Sequence, residues 1–206
     1  GMPCIFVRLQ GCPLRCRYCD TSYAFREGYN FRVEEVLQEV KKLKLNLVQI
    51  TGGEPLVQEA VFDLINLLCE VGMTVLVETS GAYDLVHCDP RANLIVDIKT
   101  PHSGAADSFL ESNYDCLSDI DQVKFVITNR EDFEWAVKLT EDKNLRDLAS
   151  VIHFSPAMPQ DKNVEVEGFE GLDPSVLADW IMEDAPWARM HLQLHKYIWP
   201  SSMRGV

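Results

Sequence analysis

Residues 47–79 read LVQITGGEPLVQEAVFDLINLLCEVGMTVLVET, and this stretch decides the fold. It begins with an apolar run of strand length, residues 47–51, that stops at Gly52-Gly53. Val61, Leu64, Ile65 and Leu68 then recur at the spacing of one helix face, and a second apolar run follows at residues 74–79. Strand, helix and strand in that order, with strands apolar almost throughout, predict a parallel sheet covered by helices. The alternation continues outward in both directions. Residues 4–9, 94–98, 122–127 and 151–154 read as further strands, and 190–194 as a short last one. Val33, Val36, Leu37 and Val40 mark a helix with Glu34 and Glu35 in its first turn, where the helix dipole favours acids. Further helices are expected at about 131–140 and 174–183. About six mainly parallel strands are too few for a closed eight-stranded barrel of about 250 residues. An α/β fold remains, either a partial, open β/α barrel or a doubly wound sheet. With no repeat, low-complexity tract or linker, residues 1–206 are expected to form a single domain, with 158–170 as a long surface loop.

The composition narrows the function. Of 206 residues, 47% are hydrophobic and 25% charged, as in an ordinary soluble domain. No run of about 18 apolar residues is present, so no membrane partner is expected. The first residues lack the basic-then-apolar pattern of a signal peptide, which points to a cytoplasmic protein with reduced or metal-bound thiols. Seven cysteines, an odd count, also argue against a pure disulfide framework. A net charge of −13 repels a phosphate backbone, so nucleic acid is not an expected partner. Locally the sign reverses: Arg8, Arg15, Arg17 and Arg26 crowd around three cysteines.

Those three are Cys12, Cys16 and Cys19, spaced CxxxCxxC in the loop after the first strand. Cys4, Cys69, Cys88 and Cys116 lack ligand spacing and read as small buried hydrophobes. A structural zinc would need a fourth ligand at short spacing, and His87, His102, His153, His191 and His195 are all distant. A 4Fe–4S cluster held by three thiolates instead leaves one iron open for a small molecule, as a catalytic metal site does. Polar residues gather at the ends of the other strands too, at 51–54, 78–81 and 97–99. Active sites of such folds lie at that carboxyl edge of the sheet.

Two motifs carry a resemblance. Cys12-x-x-x-Cys16-x-x-Cys19, with Tyr18 before the last cysteine, resembles the signature of the radical S-adenosylmethionine (SAM) enzymes. Thr51-Gly52-Gly53-Glu54-Pro55 resembles their GGEP motif, which holds the amino group of SAM. The pair implies a partial β/α barrel, a 4Fe–4S cluster and reductive cleavage of SAM. A finer resemblance, to the 7-carboxy-7-deazaguanine synthase family of queuosine (7-deazapurine) biosynthesis, runs through nearly the whole chain. It rests on Phe6-Val7-Arg8-Leu9-Gln10-Gly11-Cys12, Cys19-Asp20-Thr21-x-Tyr23-Ala24 and Glu78-Thr79-Ser80-Gly81. Asp97-Ile98-Lys99-Thr100-Pro101, Gln122-Val123-Lys124-Phe125-Val126 and Leu194-His195-Lys196 extend it.

That resemblance implies a carbon–nitrogen lyase. A radical derived from SAM takes hydrogen from 6-carboxy-5,6,7,8-tetrahydropterin; the ring contracts with help from Mg²⁺, ammonia leaves, and 7-carboxy-7-deazaguanine forms. It implies Cys12, Cys16 and Cys19 as cluster ligands and Thr21, beside Asp20, as the Mg²⁺ ligand. Tyr18, Cys19, Asp20, Gly53, Glu54, Glu78, Ser80, Asp97, Lys99 and Ser155 are expected at the cofactors, most of them at SAM. Arg8, Thr51, His195 and the carboxylate of Val206 are expected at substrate, Arg8 gripping its carboxylate as a fork. It also implies a homodimer and flavodoxin or ferredoxin as electron donor, for which Arg15, Arg17 and Arg26 offer a basic dock.

The family opens with a strand carrying a Gln-Gly-Glu-Gly type segment, whereas this sequence opens at Gly1-Met2-Pro3-Cys4. The expectation is that a lead-in strand precedes Gly1, rather than that Gly1-Met2 is foreign to the protein. Two other readings share part of the signal. A glycyl-radical-enzyme activase has the same cysteine and GGEP motifs but gives no reason for Arg8, Thr21 and His195. A non-catalytic zinc protein lacks the fourth ligand it needs.

Overall fold

Seven parallel strands line up in the order in which the chain makes them. They are β1 (Ile5–Leu9), β2 (Leu47–Gly52), β3 (Thr74–Thr79), β4 (Asn93–Asp97), β5 (Gln122–Ile127), β6 (Val151–Pro156) and β7 (Arg189–Met190). The computed structural model describes residues 1–200 and Met203. A doubly wound sheet reverses its strand order part-way. Here the order runs from β1 to β7 without a reversal, and among the described residues β1 pairs only with β2 and β7 only with β6. The sheet is therefore a barrel left open between its first and last strands.

Among the described residues six α-helices accompany it: α1 (Val33–Lys42), α2 (Ala60–Glu70), α3 (Arg130–Asp142), α4 (Leu145–Leu148), α5 (Pro174–Asp184) and α6 (His195–Ile198). Their starts are written in the sequence. Glu35 reaches back to the Arg32 N–H at 2.8 Å to open α1, and Asn129 accepts from the Asp132 N–H at 2.9 Å to open α3. Asp173 accepts from the Ser175 N–H at 2.8 Å with Pro174 in the first turn of α5.

The expected alternation fails in two places. Between β3 and β4, and again between β4 and β5, the chain crosses on short 3₁₀ turns, with no α-helix. Pro90 in the first crossing, and Pro101 and Gly104 in the second, break helical runs, and neither segment carries an apolar stripe of helical period. The last strand also differs, pairing only at Arg189–Met190, with residues 191–194 irregular.

Strand side chains alternate between faces. The outward set, Val48, Ile50, Val75, Val77, Val96, Val123, Phe125 and Phe154, is fully buried against the helices. Each such side chain contributes about 1.5–3 kcal/mol by leaving water. Phe154 is the aromatic hub, with ring centroids 5.7 Å from Phe125, 5.3 Å from Phe133 and 5.9 Å from Trp187. Of the four cysteines read as buried hydrophobes only Cys69 is fully buried; Cys4, Cys88 and Cys116 are partly exposed. Among the described residues no helix is long and apolar enough to cross a membrane.

Candidate active site

The inward set of the same strands is polar. Gln49, Glu78, Asp97, Lys124, His153 and Ser155 come from β2 to β6, alternating with the apolar outward residues. Parallel strands buried on both faces are normally apolar on both. A polar concave face is therefore suited to hold a ligand, and its groups are wired together. Glu78 accepts from Gln49 and from the Lys124 ammonium, both at 2.6 Å. Asp97 lies 3.1 Å from the Lys99 ammonium and 3.5 Å from that of Lys124. Burial opposes the charge on Glu78, but Lys124 outweighs it and holds the carboxyl below its usual range. Burial likewise opposes the charges on Lys99 and Lys124, and the carboxylates beside them win, holding both ammoniums above their usual range.

The rim is built at the carboxyl ends of the strands. After β1 the chain enters the cysteine loop, and after β2 it enters Gly52-Gly53-Glu54-Pro55. These two turns are locked together. The Gly53 N–H donates to the Leu9 carbonyl at 3.1 Å, and the Glu54 N–H to the Gly11 carbonyl at 2.8 Å. A Cβ on Gly52 would stand 2.2 Å from the Leu9 carbonyl oxygen; one on Gly53 would stand 2.2 Å from that of Gly11 and 2.7 Å from Cys12 Cβ. Both glycines are required by the cysteine loop itself, before any ligand is considered.

Glu54 is 1% exposed, and its carboxylate is fully committed within the chain. One oxygen accepts from Leu56 N–H at 3.0 Å and the Thr79 hydroxyl at 2.7 Å. The other accepts from Ser80 N–H at 2.7 Å and its hydroxyl at 2.6 Å. All four lone-pair positions of the carboxylate are taken. The motif's glutamate thus pins the end of β2 to the end of β3, with Ser80 held in the pin.

The cysteine loop does not stay near β1. It crosses the mouth, where the Arg17 N–H donates to the Ser103 carbonyl at 3.0 Å. Cys16 and Tyr18 bury with Ala157 in a small second core, joined by Val126 and Phe169. Burial is the main cause that raises all three thiols, Cys12 to about 11; Cys12 and Cys19 also feel the charge of other cysteines of the loop, and Cys16 that of Asp97. Among the described residues no three His, Cys, Asp or Glu side chains form a chelate for a single metal ion. Three thiols sharing one loop, with the Lys99 ammonium acting on Cys16, are the donor set that suits an anionic iron–sulfur cluster.

The other expected site residues distribute as follows. Arg8 lies opposite Thr51 in the sheet register and donates to the Gly52 carbonyl at 3.2 Å; it has no ion pair among the described residues. Thr51 is buried beside it. Asp20 accepts from Gln193 at 2.8 Å and Lys196 at 2.7 Å, tying the cysteine loop to the start of α6. Burial works against its charge, yet Lys196 and these bonds hold it below the usual carboxylate range. That tie brings His195 near, where burial and then Lys196 and Arg8 lower its imidazole, Asp20 opposing them. Thr21 Oγ1 is 3.9 Å from Cys19 Sγ. Ser155 pairs with His191 Nδ1 at 3.0 Å. Val206 lies outside the described residues.

Among the described residues, the buried side-chain atoms without a partner are Tyr18 OH, Asp97 Oδ1, His153 Nδ1 and Ser108 Oγ. Asp97 and His153 are on the concave face and Tyr18 is in the cysteine loop, so both regions carry buried polar atoms that the chain alone leaves unmet.

The basic island is not free. Glu165 pairs with Arg26 at 2.7 Å and Arg15 at 3.5 Å, and Glu167 with Arg17 at 3.1 Å. Residues 158–170, expected to be a surface loop, lie against the cysteine loop as a strap, with Val166 and Phe169 turned inward.

No site role was expected for Gln49, Lys124, His153 or His191, although Lys124 stands in the 122–126 stretch of the resemblance. The available signal was a single polar residue inside each apolar run, LVQIT, QVKFVI and VIHF, always on the alternate face.

Comparison with known proteins bears on these features. The radical SAM superfamily model matches residues 6–167. The 7-carboxy-7-deazaguanine synthase of Koribacter versatilis is 42% identical over 209 residues, covering all of this chain and 92% of that protein. The enzyme of the same name from Chlorobaculum tepidum is 37% identical, covering all of this chain and 90% of its own length. In fold, the crystal structure of QueE from Escherichia coli matches with a TM-score of 0.66 at 24% identity, over 94% of this chain and 86% of that one.

Proposed function

The chain belongs to the 7-carboxy-7-deazaguanine synthase family of the radical SAM superfamily, enzymes of queuosine biosynthesis, and from that membership we propose how its residues share the work. The observation that carries the assignment of roles is the lock between the cysteine loop and the GGEP turn above a charged concave face. Cys12, Cys16 and Cys19 hold the 4Fe–4S cluster that the family implies. When bound, the cluster supplies the electron that cleaves SAM reductively.

The chain's own contribution is orientation and exclusion of water. Tyr18 closes the cluster loop against Ala157 and Phe169. Gly53 lets the GGEP turn approach closely, and Glu54 serves SAM by fixing Ser80 and the turn. Glu78, Ser80, Asp97, Lys99 and Ser155 bind SAM, with Asp97 Oδ1 as a free acceptor for a ligand hydroxyl. Arg8 takes the carboxylate of 6-carboxy-5,6,7,8-tetrahydropterin, supported by Thr51, His195 and the carboxylate of Val206. Thr21, beside Asp20, holds Mg²⁺, a hard cation that keeps most of its ligands from water and substrate.

The reading includes a cytoplasmic homodimer of a single radical SAM domain, reduced by flavodoxin or ferredoxin. Because Glu165 and Glu167 already occupy Arg15, Arg17 and Arg26, an acidic donor docking there exchanges one set of carboxylates for another. Such docking is sensitive to salt.

Product analysis tests the function. Anaerobic incubation with reductant, SAM, Mg²⁺ and 6-carboxy-5,6,7,8-tetrahydropterin forms 7-carboxy-7-deazaguanine and ammonia. SAM cleavage without that product overturns the substrate assignment.

A further inference from the structure

Lys124 stands in one of the stretches that carry the resemblance but was given no role there, and it sits at the centre of the concave face. It comes from the middle of β5, opposite Asp97 of β4 and His153 of β6 in the register. Its ammonium is 2.6 Å from Glu78 Oε1 and 3.5 Å from Asp97 Oδ2, so it bridges two carboxylates on different strands. Each carboxylate has one further partner: Gln49 on the second oxygen of Glu78, and Lys99 on the same oxygen of Asp97. Asp97 Oδ1 remains buried and unmet.

We propose that Lys124 is a positioning residue for SAM, holding Glu78 and Asp97 at fixed spacing so that Asp97 Oδ1 and Glu78 present acceptors to the hydroxyl or amine donors of the ligand. The inference rests on the reading that SAM binds Glu78 and Asp97, and it adds the group that makes them usable. The charges support it. Two carboxylates and two ammoniums, from Lys99 and Lys124, balance on a face largely removed from water. Deleting the Lys124 ammonium leaves two carboxylates facing one cation and removes the main group that keeps Glu78 ionised against burial, so Glu78 takes up a proton more readily. A protonated carboxyl donates where the ligand needs an acceptor. The groups facing Glu78 are Gln49 from β2, Lys124 from β5, Lys99 after β4 and His191 after β7. Removing the nearest cation thus exposes Glu78 to the other three, with no charge of comparable proximity left.

The test is equilibrium binding of SAM to the reconstituted holoenzyme, measured anaerobically by calorimetry from about pH 6 to about pH 9. Each variant is expressed as a ratio to the natural protein, which cancels histidine titrations common to both. Lys124→Arg keeps the charge, and its ratio stays within about threefold and flat across the range. Lys124→Met binds about tenfold or more weakly at the acid end and recovers as pH rises and the carboxylate ionises. Should Lys124→Met not fold, Lys124→Gln carries the same expectation, and thermal unfolding of each variant establishes which is usable. A pH-independent loss, or no loss, in the uncharged variant overturns the inference while leaving SAM binding by the natural protein intact. Failure of the natural protein to bind SAM overturns the underlying reading as well.

Discussion

The two faces of one sheet divide the labour of this protein. Outward, Val48, Ile50, Val75, Val77, Val96, Phe125 and Phe154 are sealed under helices and supply the hydrophobic free energy of folding. Inward, from the very next residues, Gln49, Glu78, Asp97, Lys124 and Ser155 present charge and hydrogen-bonding groups on the concave face. Burying charged groups costs stability unless they are paired, so the inner face is retained for what it binds. A period of two along each strand is enough to encode both, because a strand has no other way to place its side chains. The two faces meet at the rim, where Glu54 serves both.

The largest expected effect breaks function without breaking the fold. Cys16→Ala removes one of the three proposed cluster ligands from the small second core while the outward core stays whole. The expectation is loss of the absorbance near about 400 nm and of product formation. The unfolding midpoint should stay close to that of the natural apoprotein. Loss of the fold in step with the cluster would mean that the loop is part of the scaffold.

Glu54→Ala strikes the seam. It orphans four donors at once, from Leu56, Thr79 and Ser80, and is expected to cost about 3 kcal/mol in urea unfolding. SAM affinity should fall with it, since Ser80 and the GGEP turn lose their anchor. Glu54→Gln replaces one acceptor oxygen by a donor and should recover only part. A stable Glu54→Ala would show that the pin is dispensable.

His153 sharpens the comparison through pH. It is buried on the inner face, pairs with Gln122 at 2.8 Å, and its imidazole is pushed down to about 4, by burial first and then by His191, Arg189 and Lys124. The unfolded chain binds a proton near its ordinary value of about 6.5, and the folded chain does not until near 4. Stability therefore falls as pH drops through that window, by about 2 kcal/mol between pH 7 and pH 5. His153→Gln should remove this acid limb from a series of urea midpoints. An unchanged limb would assign it elsewhere.

How much of this was legible in the sequence follows from the same geometry. The apolar runs and the helix stripe of residues 60–70 identify themselves by period, and the cysteine and GGEP motifs by spacing. The open barrel followed from the resemblance, and strand order with free edges gives it a physical form. The missing helices around β4 were less visible, because proline and glycine there say what the chain avoids and not how it crosses. The inner ladder was hidden for another reason. Gln49, Lys124 and His153 each look like a stray polar residue in an apolar run, and only the sheet register brings them together. The strap is similar: Glu165 and Glu167 lie far along the chain from Arg15, Arg17 and Arg26, and charge counting alone gave a free basic island. Glu54 was legible as important, while its saturation by the chain's own donors was not.

One pair of neighbours tests the division most directly. Val96 and Asp97 are consecutive on β4, the first fully buried in the outward core and the second on the concave face with an unmet oxygen. Urea unfolding and SAM calorimetry on Val96→Ala and Asp97→Asn give four numbers. Val96→Ala is expected to lose about 2 kcal/mol of stability while its folded protein binds SAM like the natural one. Asp97→Asn is expected to weaken SAM binding about tenfold or more, the loss of one charge-assisted hydrogen bond, with the smaller change in stability. If both substitutions lower stability and affinity in parallel, the two faces are not separate and the account is wrong.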